Sequence, residues 1–205
     1  MPTWPHLARL LRPLIGRVTE HRPLVHTVVA LAGMPGAGKS TLATYLAAEL
    51  KLRSVDLDEE IAAREGASVA EIFLRHGEGG FRDREVEELA RLLDQTGRTP
   101  LVIALGGGTG VADRRSAELL RDRAMVIYLW CTPEHLLAAL EGEHERSKRP
   151  LLAEGDMRER LEHLYGERHQ GYLEMADLVL GPDLSWDELR ARALAELRSW
   201  LGKAG

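Results

Sequence analysis

The run Gly33-Met-Pro-Gly36-Ala37-Gly38-Lys39-Ser40-Thr41 constrains this chain more than any other part of it. It satisfies G-x-x-x-x-G-K-[ST] and stands between an apolar stretch, residues 25–32, and a helical pattern over residues 39–50, the setting such a loop requires. Glycines let backbone N–H groups turn inward around phosphate oxygens without Cβ clashes. The helix that follows points its positive end at the same anions. Gly36, Ala37, Gly38, Lys39, Ser40 and Thr41 are therefore the expected nucleotide-binding residues. Lys39 is expected to reach the β- and γ-phosphates, and the Ser40 hydroxyl to ligate Mg²⁺.

The rest of the chain alternates strand-like and helix-like stretches, which predicts an α/β fold with a mainly parallel sheet. Strands are expected at 25–32, 53–57, 101–105, 125–130 and 177–180. Ser68-Val-Ala-Glu71 reads as a capping box opening a short helix, and residues 82–95 as a longer one stopped by Gly97. Thr132-Pro133 offers another N-cap, and Ser185-Trp-Asp-Glu188 caps a terminal helix to about residue 201. With 205 residues and no internal repeat, the expectation is one domain over 25–205. Residues 1–24, arginine-rich and amphipathic, form an N-terminal extension expected to be an accessory helix.

Bulk composition excludes several classes. The net charge of −5, with acids and bases mixed, argues against a nucleic-acid partner. No stretch approaches 18 consecutive apolar residues, so no membrane span is expected. The single cysteine, Cys131, allows no intrachain disulfide and suits a reducing, cytoplasmic setting as a buried thiol. The histidines show no zinc-site spacing.

The acceptor of the phosphoryl group must be read from other residues. Val55-Asp56-Leu57-Asp58 puts two carboxylates at the end of the second strand, where alternate residues face one side. Parallel sheets bind ligands at that end. One acid beside Ser40 would hold the metal's water shell; the other would accept hydrogen bonds from a substrate hydroxyl. The bland alternative is a solvated acidic loop running into Glu59 and Glu60. Arg82, Arg149 and Arg168 stand out by context, and a guanidinium fork suits carboxylate or phosphate. Chemistry alone does not select these three among 27 Lys and Arg residues.

Taken together, the blocks resemble one family. Gly-Met-Pro-Gly-Ala-Gly-Lys-Ser-Thr (33–41), Val-Asp-Leu-Asp (55–58), Ile-Phe-x-x-x-Gly-Glu-x-x-Phe-Arg-x-x-Glu (72–85), Gly-Gly-Gly (106–108), Arg-Pro-Leu-Leu (149–152) and Glu-Arg-x-x-x-Tyr-x-Glu-x-Ala-Asp (167–177) are similar in order and spacing to shikimate kinases. The resemblance covers about residues 25–200. It implies a three-layer P-loop kinase fold like that of nucleoside monophosphate kinases: a five-stranded parallel sheet flanked by helices, a substrate-binding helical segment and a lid over about 141–155. It also implies transfer of the γ-phosphoryl group of ATP, with Mg²⁺, to the 3-hydroxyl of shikimate, in a monomeric enzyme. The implied roles follow residue by residue. Asp58 holds shikimate hydroxyls, while Arg82 and Arg168 grip its carboxylate. Gly107 and Gly108 let backbone N–H groups approach the ring. Ser40 ligates Mg²⁺ and Asp56 orients its waters. Lys39, Asp56, Asp58 and Arg149 are the implied catalytic set, with Arg149 on the lid closing over the phosphates.

The chain departs from the family pattern at Gln170-Gly171, where Pro-Leu is usual, and at Gly142 and Ser185, where many members carry arginines flanking the adenine. Two other readings stay open at this level. One is a related kinase acting on another hydroxy or sugar acid, and the other is a ligand-binding module without turnover.

Overall fold

The computed structural model describes residues 28–95, 100–121, 123–140 and 156–202. The expected N-terminal extension, the lid over 141–155 and Arg149 lie outside the described residues. Five strands form one parallel sheet in the order β2-β3-β1-β4-β5, with β1 Val28–Ala32, β2 Arg53–Asp56, β3 Leu101–Ala104, β4 Met125–Leu129 and β5 Leu178–Leu180. β1, β3, β4 and β5 are buried along their whole length, which is why they read as unbroken apolar runs. The helices are α1 Lys39–Leu50, α2 Leu57–Glu65, α3 Val69–Gln95, α4 Arg114–Arg121, α5 Pro133–Leu140, α6 Met157–Met175 and α7 Trp186–Gly202. The α/β architecture with a five-stranded parallel sheet is as expected.

Sheet register brings the key loops together. β3 lies between β1 and β2, pairing Leu31 with Ala104 and Asp56 with Ala104. The loops leaving β1, β2 and β3 therefore emerge side by side at the strands' C-terminal ends. The loop after β1 carries the glycine-rich motif, that after β2 begins at Asp56, and that after β3 is Gly106-Gly107-Gly108. Ligand crevices in such sheets form at this edge.

Both expected capping boxes are present. The Ser68 N–H donates to Glu71 Oε2 (2.8 Å) while the Glu71 N–H donates to Ser68 Oγ (3.2 Å), and Ser185 and Glu188 repeat the arrangement at 2.9 and 3.3 Å. Thr132 Oγ1 accepts from the His135 N–H ahead of Pro133, as expected at the start of α5.

The second strand corrects the expected geometry of the acids. It ends at Asp56, and Leu57 opens a helix rather than closing a strand. Asp56 Oδ1 accepts from the N–H groups of Asp58 and Glu59, so the Asp56 side chain caps α2 and puts Asp58 in its first turn. Asp58 thus enters the crevice from a helix N-terminus, not by strand alternation. Leu57, fully buried, points into the core instead. Residues 59 and 60 are helical rather than a solvated loop.

Candidate active site

The glycine-rich loop is held largely by its own residues. Gly38, the N-cap of α1, has φ 85°, a left-handed conformation that glycine adopts without strain. The Lys39 side chain is largely buried, its Nζ donating to the carbonyls of Gly33 (2.9 Å) and Met34 (3.1 Å). At the next residue, Ser40 Oγ donates to Asp56 Oδ2 at 2.5 Å. Asp56 therefore serves two elements, α1 through one oxygen and α2 through the other.

A cleft of about 760 Å³ runs from this loop past α2 to the start of α3, and Lys39, Ser40, Thr41, Asp56, Asp58 and Glu59 line it. A smaller hollow of about 240 Å³ lies on the loop's other side, walled by Trp130, Cys131, Pro182, Leu184 and Trp186. The Trp186 ring packs on the phosphate loop itself, since a Cβ at Gly38 would lie 3.2 Å from its Cζ3. Cys131 is half-buried at the hollow's wall rather than fully buried, and burial pushes its thiol pKa up. A thiol so held is mostly protonated at neutral pH.

The triple glycine is the hub of the second half. Pro35 of the phosphate loop fills the space where a Gly107 Cβ would be (2.7 Å to Cγ), and the Arg82 guanidinium fills that of Gly108 (2.5 Å to Nη2). A Cβ at Gly106 would meet both Asp58 Oδ1 (2.7 Å) and Glu85 Oε1 (2.6 Å). The missing side chains thus admit protein groups, which bring Asp58, Arg82 and the phosphate loop to one point. The Gly107 carbonyl accepts twice, from Arg168 Nη1 (2.7 Å) and from the Tyr172 hydroxyl (2.7 Å). Asp58, Arg82 and Arg168 therefore converge as expected. Arg149 is the one site residue outside the described residues.

The two arginines differ in their compensation. Arg82 is 7% exposed and Arg168 6% exposed. Burial works against the charged form of Arg82, but Glu85 (2.6 Å from Nη1) and Glu78 (3.1 Å from Nη2) outweigh it, and its pKa lies above the ordinary value. Arg168 has no carboxylate within ion-pair distance among the described residues. Burial first, and the charge of Arg82 after it, bring its pKa below the ordinary value. Two buried guanidiniums near one another favour an anion between them.

Glu85 is a residue the sequence reading quoted but gave no role. It is fully buried, accepting from Arg82 and from the Thr109 hydroxyl (2.5 Å), so it fixes the guanidinium against the hub. Its spacing of three from Arg82 on one helix was the available signal. A second buried acid, Glu88, accepts from Arg64 of α2 (3.0 Å) and from Arg91. This pairing clamps the helix carrying Asp58 to the helix carrying Arg82. Behind Arg168, Tyr165 stacks on His169 with centroids 4.8 Å apart, and the Tyr128 hydroxyl shares a 2.8 Å hydrogen bond with His169 Nδ1.

Known proteins resemble this chain over most of its length. The family model "Shikimate kinase" matches residues 35–198. A shikimate kinase of Bradyrhizobium diazoefficiens is 36% identical over 173 residues, covering 84% of this chain and 80% of the relative. That of Aromatoleum aromaticum is 42% identical over 153 residues, covering 75% and 83%. Among solved structures, shikimate kinase from Acinetobacter baumannii in complex with shikimate superposes with a TM-score of 0.76 at 31% identity, over 87% of this chain and 95% of that one.

Proposed function

Because the chain belongs to the shikimate kinase family, we infer that it transfers the γ-phosphoryl group of ATP to the 3-hydroxyl of shikimate, giving shikimate 3-phosphate and ADP. The observation that carries this reading is the hub at Gly106–Gly107–Gly108, where Pro35 of the phosphate loop, Asp58, Arg82 and Arg168 all meet. A phosphoryl donor on the loop and an acid on the arginines would then be neighbours.

The proposed roles join this geometry to the family resemblance. Backbone N–H groups of Gly36, Ala37, Gly38 and Thr41 surround the phosphates at the positive end of α1, and Lys39 turns from the loop carbonyls to the β- and γ-phosphates. The base lies in the smaller hollow against Trp186, whose indole supplies a flat face next to Ser185, where many members carry an arginine. Arg82 and Arg168 bind the substrate carboxylate, Glu85 holding Arg82 in place. Asp58 accepts from the ring hydroxyls and orients the attacking oxygen. Arg149 is proposed to neutralise the transferring group, a contribution on the order of 10³–10⁵ in rate.

The donor set suits Mg²⁺. Ser40 Oγ would ligate the ion and Asp56 Oδ2, hydrogen-bonded to it at 2.5 Å, would hold the ion's waters; both are hard oxygens at the phosphate end of the cleft. Mg²⁺ is commonly held by one or two such groups together with substrate phosphates and water. When bound, it would supply charge neutralisation across the β- and γ-phosphates. Because Asp56 also caps α2, the carboxylate that would hold the metal's waters is the one that positions Asp58.

We place the enzyme in the cytoplasm, in keeping with a single cysteine that allows no intrachain disulfide, and propose that it acts as a monomer. No helix among the described residues is long and apolar enough to cross a membrane. The direct test is ADP release with Mg²⁺ and ATP, comparing shikimate, quinate and gluconate. Turnover is expected with shikimate, and at least tenfold slower turnover in Asp58→Asn. Comparable rates with gluconate would redirect the assignment to another acid, and binding without ADP release would favour a non-catalytic module.

A further inference from the structure

Arg82 is held by two carboxylates of different character. Glu85 is fully buried and also takes the Thr109 hydroxyl, so it is a fixed part of the hub. Glu78 has a side chain 48% exposed, and Arg82 Nη2, at 3.1 Å, is its hydrogen-bond partner among the described residues. The charge of Glu78 is also felt by Arg168. A releasable carboxylate thus sits on one of the two guanidiniums that the proposed function assigns to the substrate acid, and its charge reaches the other.

The backbone around Glu78 is built to yield. Gly77 has φ 66° and ψ −177°, a break that divides α3 immediately before Glu78. Gly79 and Gly80 follow, each weakening a helix by about 1 kcal/mol relative to alanine. A Cβ at Gly77 or Gly79 would meet nothing within 4 Å, so those two positions face open space, while Gly80 packs against His76 and anchors the far side of the turn. The Glu85 side of Arg82, by contrast, lies deep in the longer part of α3.

We propose that Glu78 is an internal stand-in for the substrate carboxylate: it occupies Arg82 in the unliganded enzyme and swings aside on the turn at residues 77–80 when the acid binds. The inference rests on the assignment of Arg82 and Arg168 to the substrate's carboxylate. Its consequence is that acid affinity is a difference between two ion pairs. Glu78 keeps Arg82 neutralised and small inorganic anions out, while an acid that also engages Asp58 through its hydroxyls displaces it.

The test is steady-state kinetics of the full chain with Mg²⁺ and ATP, with sulfate as a competing anion. In Glu78→Gln, the KM for shikimate is expected to fall roughly two- to fivefold, the scale of a half-exposed ion pair, with KM for ATP unchanged. Sulfate should inhibit more tightly by a similar factor. Glu78→Asp, too short to reach Arg82, should behave like Glu78→Gln. If Asp at this position keeps the native KM, the acid serves only the helix N-terminus, and the stand-in role is wrong. A higher KM for shikimate in Glu78→Gln would make Glu78 a fixed positioning residue and also overturn the proposal. In both cases an Arg82→Lys variant with raised KM leaves the carboxylate site standing. Unchanged KM in Arg82→Lys would remove that site and the proposal with it.

Discussion

The two halves of the cleft are held by different means. On the nucleotide side, backbone and short side chains do the holding: a left-handed glycine, Lys39 on two loop carbonyls, and Ser40 on Asp56. On the acid side, buried charges do it. Arg82, Glu85 and Arg168 come from α3 and α6, and all are removed from water around the triple glycine. The difference matters because a backbone cradle tolerates change in its surroundings, whereas a desolvated charge left without its partner is costly. The nucleotide half should therefore govern turnover, and the acid half affinity and stability.

Substitutions can break that division or sharpen it. The largest effect is expected from Lys39→Ala, lowering kcat on the order of 10³-fold while shikimate affinity, measured by calorimetry, stays within about twofold. An equal loss in both would mean that the halves are not separable. Next, Glu85→Gln removes the charge that balances Arg82 in the interior, and about 3 kcal/mol of unfolding free energy should disappear in urea titrations. Stability at the native level would show that the hub is rigid without it.

Arg168→Ala is expected to weaken shikimate binding by about 2–3 kcal/mol while ADP binding stays native. Calorimetry of both ligands reads the contrast in one experiment.

The smallest effect concerns acid pH. Burial lowers the His169 pKa from 6.5 to about 4, and its Nε2 is buried with no hydrogen-bond partner. The folded state thus takes up its proton later than the unfolded one. Stability from this group is complete above about pH 6.5 and is lost as pH falls toward 4. At pH 4.5 the loss should be about 2 kcal/mol, and His169→Gln should remove that part of the pH dependence. An identical pH profile in the variant would show that this ring titrates elsewhere.

How much of this was legible follows from the same division. The phosphate loop was readable because its chemistry is local, a fixed spacing between one strand and one helix. The acid side was not. The buried stripe of α6 runs Met157, Leu161, Tyr165, Arg168, Tyr172, and that of α3 includes Arg82, Glu85 and Glu88 among leucines. Functional charges in a buried stripe interrupt the apolar period and read as surface, so helix α6 escaped periodicity and Glu85 received no role. α2 buries only Leu57 and Ile61, too short a stripe to find, which is why Asp58 was assigned to a strand end. Only the family resemblance selected Arg82 and Arg168 from the many cations.

The most direct measurement is a crystal structure of the enzyme with shikimate and ADP. The expected result is a carboxylate within hydrogen-bond distance of both the Arg82 and Arg168 guanidiniums, a ring hydroxyl on Asp58, and the Glu78 side chain withdrawn from Arg82. A carboxylate bound away from both arginines, with Asp58 facing no hydroxyl, would contradict the assignment of this hub as the acid site.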